Sequence, residues 1–351
     1  MKYLYAILPT PTGDDYEPLA FASPDGRFEI VTDGTLAAVV SETTTPAYTD
    51  LPRGDVMRAL AQHQAAVEAL MRGDSALLPV KFGTVLADEG QVCNVLYLGR
   101  ADFQRAFELV GDRGEMDVAV TWDPARIFGE IAQSPEFIAL KAEVEALPPD
   151  KLMAGKVAVG RLVKEQLDAR RNALRDALVA EITPHAARWR LNPVMDDSMV
   201  MNVACLVNTD EATALEDRVY ELDEQHTGQL NFRLIGPLPP YSFATVEARA
   251  VKGEDVAQAS ALLGLDGSRG RHDGHSGEFG SWTPEQVKYA YYGQARRYHP
   301  DAVGSDPDAL AQFVHLTTAY RLMTEVALRV PAGALAGDTP YILVRVGGPE
   351  G

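Results

Sequence analysis

Short apolar runs alternate with segments of helical spacing along the first third of the chain. Residues 3–8 and 36–41 are predicted strands, and apolar residues recur three or four positions apart between Asp55 and Met71, which predicts an amphipathic helix. The same criteria predict a strand interrupted by Pro79 and Gly83, then a helix and a further strand: residues 77–86, 91–110 and 116–122. The order ββαβαβ favours a ferredoxin-like α/β domain over residues 1–123.

The middle of the chain, residues 124–192, has helical spacing throughout. A first helical stretch, residues 124–146, ends before Pro148 and Pro149, and a long helix is predicted over residues 151–190. This second stretch carries nine Lys/Arg against four Asp/Glu. We therefore expect a basic helix that can dock onto an acidic surface.

A second α/β unit is predicted over residues 193–252, with strands at 199–207, 231–235 and 244–251 and a helix at 211–226. Residues 253–330 form a helical module, and residues 331–351 a linker and a last strand at 341–346. We expect that strand to return to the sheet of the second unit. The fold class is α+β: a ferredoxin-like α/β domain, a long helical segment, and a second small α/β domain containing the helical module.

Charge and apolar content restrict the partners. Fifty acidic residues against 32 basic ones give a net charge of -18, which opposes binding to nucleic acid or to an anionic membrane. The first residues lack the long apolar segment of a signal peptide, and the longest apolar run, residues 199–207, is too short to span a bilayer. We expect a cytoplasmic protein in which Cys93 and Cys205 are buried free thiols.

Catalytic chemistry is not indicated. The sequence contains neither a GxxxxGK[ST] phosphate loop nor a GxSxG nucleophile elbow. His63 lies on the same helix as Leu60 and Val67, which favours a hydrogen-bonded core histidine over a catalytic base. His272, Asp273 and His275 lie in a Gly-rich stretch, where a linker is favoured over a metal site. We expect a protein that is not an enzyme and has no cofactor or metal.

Residues 1–250 contain a series of apolar motifs in a characteristic order. These are YLYAI, LAAVVS, HQAAVEAL, LLPVKFGTVL and LIGPLPPYSF. In this order and spacing they resemble the GvpF/GvpL family of gas vesicle proteins. The resemblance implies an accessory or minor structural protein of gas vesicles, hollow shells built from a small, very apolar protein.

The resemblance also implies partners: the shell protein and other gas vesicle proteins. A shell subunit with exposed apolar surfaces would aggregate unless something bound it before polymerisation. The candidate contacts are Tyr241 and Phe243 in the last motif, and Arg170 and Arg171 on the basic helix. For the two aromatic residues, packing in the core is favoured, and an exposed apolar contact is the alternative.

The helical module carries a second resemblance. Leu263 and Gly264 resemble the end of helix I of a J-domain, Thr283 and Pro284 provide an N-cap with Pro at N1 for helix II, and RRYHPD contains the His-Pro-Asp loop. Apolar residues that would pack helix III on helix II recur after the loop: Phe313, Leu316, Ala319, Tyr320 and Met323. The segment resembles the J-domain by which co-chaperones stimulate DnaK-type ATPases.

Two functions follow from these resemblances. One is a gas vesicle assembly factor; the alternative is a co-chaperone that recruits a DnaK-type ATPase to shell subunits. In the J-domain family, basic residues of helix II and the loop residues make the ATPase contacts, which here correspond to Lys288, Arg296, Arg297, His299, Pro300 and Asp301. Gly293 and Gln294 depart from the family pattern, and a glycine within a helix costs about 1 kcal/mol. Whether the module is active as a J-domain stays open.

Overall fold

The computed structural model describes residues 1–10, 22–23, 26–72, 76–265, 282–299, 307–331, 334 and 340–347. The strands are β1 (Lys2–Pro9), β2 (Ala22–Ser23), β3 (Gly26–Arg27), β4 (Glu29–Asp33), β5 (Leu36–Glu42), β6 (Leu78–Pro79), β7 (Val85–Leu86), β8 (Arg113–Trp122), β9 (Arg188–Leu191), β10 (Met199–Asn208), β11 (Leu230–Leu238), β12 (Val246–Val251) and β13 (Tyr341–Val346). The helices are α1 (Arg53–Met71), α2 (Glu89–Val110), α3 (Pro124–Ala132), α4 (Pro135–Glu145), α5 (Leu152–Ile182), α6 (Ala212–Gln225), α7 (Tyr241–Ala244), α8 (Gly253–Leu263), α9 (Pro284–Tyr298) and α10 (Pro307–Arg329). The mixture of helix and sheet confirms the α+β class.

The chain divides into two compact units. The first contains Met1–His63, Val80–Phe103 and Val246–Val346, and the second consists mainly of Gln64–Pro79 and Gln104–Thr245. In the first unit, β5 pairs antiparallel with both β4 and β1, and β7 pairs with β1. Most of β1 is buried because its apolar run occupies the interior of this sheet.

The first unit also contains the helical module. The helices α8, α9 and α10 pack around a core that includes Val256, Val287, Leu316 and Met323. Strand β13 pairs antiparallel with β12, and Val251 and Leu343 of these strands belong to the same core. The strands that precede and follow the module therefore pair with each other in a separate two-stranded sheet.

The second unit is built on an antiparallel sheet with the order β11-β8-β10-β9. One face of β8 and β10 packs against α3, α5 and α6 in a single apolar core, which includes Val118, Val203, Ile131, Leu178 and Leu222. Burial alternates along β8, as expected for a strand with two different faces. The Trp122 indole Nε1 donates to the Asp197 carbonyl at 2.7 Å.

Three sequence-based boundaries differ from the structure. The boundary at residue 123 separates residues 116–122 from the second unit, whereas β8 pairs with β10 and β11 in its sheet. Residues 124–146 form two helices because Ser134 caps a new helix, with its hydroxyl accepting from the Phe137 N–H. The long helix ends at Ile182 because Pro184 follows, and Arg188–Leu191 forms a strand instead.

Both cysteines are free. Cys205 is buried on β10, and burial raises the pKa of its thiol to about 12. Cys93 is only partly buried, so the expectation of two buried thiols is wrong for this residue.

Candidate interaction sites

The helical module has the local signals of a J-domain. Helix α8 ends at Leu263, where Gly264 adopts φ +74°, the left-handed conformation that closes many helices. Helix α9 begins with a capping box, in which the Thr283 hydroxyl accepts from the Gln286 N–H and the Gln286 side chain accepts from the Thr283 N–H. These two caps fix the ends of the helices that correspond to helices I and II.

Helix α10 packs on α9 as the spacing of its apolar residues predicts. Leu316, Ala319 and Met323 are buried in the core that includes Val287. Tyr320 stacks on Tyr291 with ring centroids 4.4 Å apart. Because α10 covers one face of α9, the opposite face of α9 is exposed to solvent.

The solvent-exposed face of α9 combines cations with aromatic rings. Lys288, Arg296 and Arg297 are exposed, and Tyr289 and Tyr292 are 78% and 50% exposed. The Lys288 ammonium lies 5.9 Å from the centroid of the Tyr292 ring. This surface, named the basic face of α9, suits an acidic protein partner.

The basic face of α9 ends at an exposed histidine. The His299 ring meets the Phe313 ring edge to face, with centroids 5.5 Å apart. Pro300 and Asp301 lie outside the described residues, as do His272, Asp273 and His275. The structure therefore places the first residue of the His-Pro-Asp loop beside helix α10.

Ion pairs connect the module to the strands that flank it. Glu325 of α10 pairs with Arg249 of β12 and, at 3.8 Å, with Arg345 of β13. Arg329 donates to the Val344 carbonyl at 3.0 Å and pairs with Asp102 at 3.3 Å. The end of α10 is thus held by both strands and by α2.

The GPLPPYSF motif, residues 236–243, covers the end of β11 and the start of α7, and this change of chain direction is called the GPLPPYSF turn. Gly236 has φ +154°, and a Cβ at this position would lie 2.3 Å from the Met116 sulfur and 2.8 Å from the Glu115 carbonyl oxygen. Glycine is therefore required both by the backbone conformation and by the close approach to β8. The Gly236–Pro237 peptide bond is cis.

A buried carboxylate anchors this turn. The Glu115 carboxylate accepts from the Ser242 N–H and from the Ser242 hydroxyl, both at 2.7 Å. Burial raises the pKa of Glu115 to about 7, while the hydrogen bonds from Ser242 lower it and the charge of Asp117 raises it. Sequence reasoning missed Glu115; the only signal is an acidic residue directly before the apolar run of β8.

The two aromatic candidates do not form an exposed surface. Phe243 is 1% exposed and packs against Ala204 and Leu206 on the second face of the sheet. The ring therefore packs in the core, as favoured for it, and a surface contact by Phe243 is wrong because the turn directs the ring inward. The Tyr241 hydroxyl is buried without a hydrogen-bond partner in the described part of the chain, and burial raises its pKa.

The two arginine candidates on α5 have intramolecular partners. Arg171 is buried, and its guanidinium donates to the Met199 carbonyl and to Asp168, each at 3.0 Å. Its prediction as a surface contact is therefore also wrong. Arg170 is more exposed and pairs with Glu130 at 3.0 Å. Arginine patterns on a helix do not distinguish such structural roles from docking.

A mostly apolar cleft of about 640 Å³ lies beside the turn in the second unit. It is lined by Met71, Leu77, Met116, Val207, Ala212, Pro237 and Pro240, with Glu68, Arg72 and Arg113 among its polar residues. Two prolines of the GPLPPYSF motif thus form part of its wall. Its volume lies within the usual range of ligand-binding clefts.

His63 is a core histidine rather than an accessible base. It is buried, and its Nε2 lies 3.0 Å from the Val80 carbonyl while its Nδ1 lies 2.9 Å from the Tyr3 hydroxyl. Nε2 is therefore the protonated nitrogen and donates to the carbonyl, and Nδ1 accepts from Tyr3. Burial lowers the pKa of His63 to about 4.

Two further properties concern the described residues alone. No cluster of three or more His, Cys, Asp or Glu side chains is arranged to hold a metal ion there. Within the same residues, no helix combines the length and apolar character needed to cross a bilayer.

Comparison with solved structures shows the fold of the larger part of the chain. The crystal structure of the gas vesicle protein GvpF from Anabaena sp. PCC7120 superposes with a TM-score of 0.57 at 21% identity, covering 68% of this chain and 94% of that one. GvpF from Microcystis aeruginosa gives a TM-score of 0.58 at 19% identity, covering 68% and 97%.

Sequence relatives include gas vesicle protein F of Dolichospermum flosaquae, 25% identical over 54% of this chain and 78% of the relative. Gas vesicle protein F of Nostoc sp. strain PCC 7120 is 24% identical over 70% of this chain and 98% of the relative. Chaperone protein DnaJ of Carboxydothermus hydrogenoformans is 42% identical over 43 residues, 12% of this chain and 11% of that protein.

Family profiles agree with both resemblances. The DnaJ domain matches residues 280–330, which contain α9, the His-Pro-Asp loop and α10. The family described as gas vesicle synthesis protein GvpL/GvpF matches residues 1–245, well over half of the chain. The protein belongs to the GvpL/GvpF family of gas vesicle synthesis proteins and carries a DnaJ domain after the family region.

Proposed function

We propose that the protein supports gas vesicle formation by binding the small apolar shell subunit before it polymerises, and that it acts by binding rather than by catalysis. The observation that carries the proposal is the apolar cleft beside the GPLPPYSF turn, inside the part of the chain that matches the family. Enclosing apolar side chains of a shell subunit in this cleft would lower the exposed apolar surface that leads to aggregation.

A substitution that fills the cleft tests this proposal. Ala212 lines the cleft near the start of α6, so Ala212→Arg would place a long charged side chain in it. Ala214→Arg on the exposed face of the same helix is the matched control. We expect Ala212→Arg to abolish co-purification with the shell protein and to reduce vesicle yield, while Ala214→Arg leaves both intact.

The proposal fails if both variants retain co-purification and vesicle yield. A loss of folding is a separate outcome that circular dichroism of Ala212→Arg detects. In that case Thr209→Lys, at another position on the cleft wall, replaces it, and retained co-purification in the folded variant contradicts the proposal.

The second candidate function is recruitment of a DnaK-type ATPase to the bound shell subunit. It is favoured by the basic face of α9 and by the exposed His299 at its end. His299→Gln is expected to abolish stimulation of ATP hydrolysis by a DnaK-type chaperone. His315→Gln, an exposed histidine on α10, is the control and should leave stimulation unchanged.

These two functions separate cleanly. If His299→Gln leaves ATPase stimulation and vesicle formation unchanged, the co-chaperone function is wrong. The assembly function then stands on the cleft variants alone.

A further inference from the structure

Strand β9 is an open edge of the sheet in the second unit. It pairs antiparallel with β10 through four residue pairs, from Arg188↔Leu206 to Leu191↔Val203. Among the described residues, no other strand pairs with it. All four of its residues are exposed.

The backbone register shows which groups of β9 face outward. The Asn192 N–H donates to the Asn202 carbonyl at 2.8 Å, so Asn192 forms a hydrogen-bonded pair with β10. Backbone bonding alternates along an antiparallel strand. The N–H and carbonyl groups of Trp189 and Leu191 therefore point away from β10, towards the open edge.

The side chains on one face of β9 extend the apolar core to this edge. Trp189 and Leu191 lie opposite Cys205 and Val203, which belong to the core under the helices. The two side chains are 44% and 37% exposed. Met195, shortly after the strand, is 82% exposed. Among the residues that the structure describes, an apolar surface thus remains uncovered next to backbone groups that no other strand pairs with.

The opposite face of β9 is positive. Arg188 and Arg190 lie on it, in a chain whose net charge is -18. The Arg190 guanidinium donates to the Ser242 carbonyl at 3.0 Å. Within the described residues, neither arginine forms an ion pair, although the charge of Arg190 also acts on Glu115. Both exposed arginines can therefore meet an acidic partner.

We propose that β9 accepts an extended segment of a partner protein as an additional strand. The segment would alternate apolar residues, packed beside Trp189 and Leu191, with acidic residues beside Arg188 and Arg190. Main-chain hydrogen bonds to the outward groups would supply affinity, and the alternating side chains would supply specificity. This surface is distinct from the cleft of the proposed function, and goes beyond it.

A second copy of the chain does not suit this edge. Antiparallel pairing about a two-fold axis at Trp189 places Arg188 opposite Arg190, and an axis at Arg190 places the two Arg190 side chains opposite each other, which is unfavourable. An axis at Leu191 places Pro193 opposite Trp189, and proline has no N–H to donate. The charge pattern therefore favours a different, acidic strand.

Peptide binding to the full-length protein tests the proposal. The probe is a soluble peptide of alternating Glu and Val, compared with a Lys/Val peptide and with a Glu/Val peptide interrupted by proline. We expect the Glu/Val peptide to bind most tightly. The Arg188→Glu/Arg190→Glu variant should reverse the preference between the charged peptides, each affinity changing about tenfold, while Arg161→Glu on α5 should not.

A second variant tests the backbone contribution. Leu191→Pro removes an outward N–H and leaves the hydrogen bonds to β10 in place, so it should abolish peptide binding while circular dichroism shows that the protein remains folded. Unchanged binding by Leu191→Pro, or an unchanged charge preference in the arginine variant, overturns the proposal. A dimer seen by sedimentation and lost in Leu191→Pro also overturns it, in favour of a second copy. A negative result in the peptide-binding experiments leaves the test of the proposed function unaffected, because that test measures co-purification and vesicle yield in the cleft variants.

Discussion

The carboxylate of Glu115 holds Ser242, 127 residues later in the chain, by accepting both its N–H and its hydroxyl at 2.7 Å. One side chain of β8 thereby fixes the turn whose prolines line the apolar cleft. Asp117 and Cys205 lie near this carboxylate on the sheet, and Arg190 contributes a weak opposing charge from β9. The turn is therefore positioned by a group whose protonation changes near neutral pH.

Glu115→Gln should change how stability depends on pH. The pKa of Glu115 is about 7 in the folded protein and 4.5 as its ordinary value, so the folded state retains a proton that the unfolded state has lost. The wild-type free energy of unfolding should thus fall by about 3 kcal/mol as pH rises from 4.5 through 7. Gln cannot lose a proton, and urea unfolding of the variant should lack this decrease. Parallel pH profiles would contradict the prediction.

Tyr241→Phe should stabilise the protein. The Tyr241 hydroxyl is buried without a partner in the described part of the structure, and removing such a group relieves a desolvation cost of about 1 kcal/mol. Tyr3→Phe is the control, since the Tyr3 hydroxyl bonds to His63 and accepts from the Gly83 N–H. It should lower the free energy of unfolding by about 1 kcal/mol. Equal effects of the two changes in urea unfolding would contradict this reading.

The apolar core, rather than the ion pairs, should dominate the attachment of the helical module formed by α8, α9 and α10, called the J-like module from here on. Met323 is fully buried, and Met323→Ala should cost about 2–5 kcal/mol. Glu325→Gln should cost less than about 1 kcal/mol, because its ion pairs with Arg249 and Arg345 are partly exposed. Hydrogen exchange of α8 to α10 measures both. Comparable losses of hydrogen-exchange protection in Met323→Ala and Glu325→Gln would contradict the prediction that the apolar core dominates.

Gly293→Ala should stabilise α9. A Cβ added at Gly293 meets no atom within 4 Å, and alanine gains about 1 kcal/mol over glycine in an exposed helix. The thermal midpoint of the module should rise. A fall would mean that an unseen constraint acts at this position.

The two resemblances were predictable because their signals are local. The Thr283 cap, the His-Pro-Asp loop and the spacing of Leu316 and Met323 define the J-like module within about 50 residues. The GPLPPYSF motif likewise indicated the family by residue type and order, whereas the close approach of its Gly236 to β8 is visible only in the structure. Both depend on residue type at a fixed spacing.

Long-range pairing could not be predicted in the same way. Alternation identifies β8 as a strand but does not reveal that its partners are β10 and β11. Four residues, Arg188–Leu191, are too short for a recognisable strand period, and only Pro184 indicated that the helix had ended. The burial of Phe243 and Arg171 depends on contacts with distant strands, so sequence alone could not exclude a surface role.

The pairing of β12 with β13 has a mechanical consequence. The chain enters the J-like module after Val251 and returns at Tyr341, and these two residues are opposite each other in the strand pair. A pulling force that a partner exerts on α9 therefore acts on β12 and β13 together, at their adjacent ends. Separating them requires opening the pairs one after another, from Val251↔Tyr341 towards Val246↔Val346. Force applied to the module is transmitted to the rest of its unit through a closed strand pair rather than through a single tether.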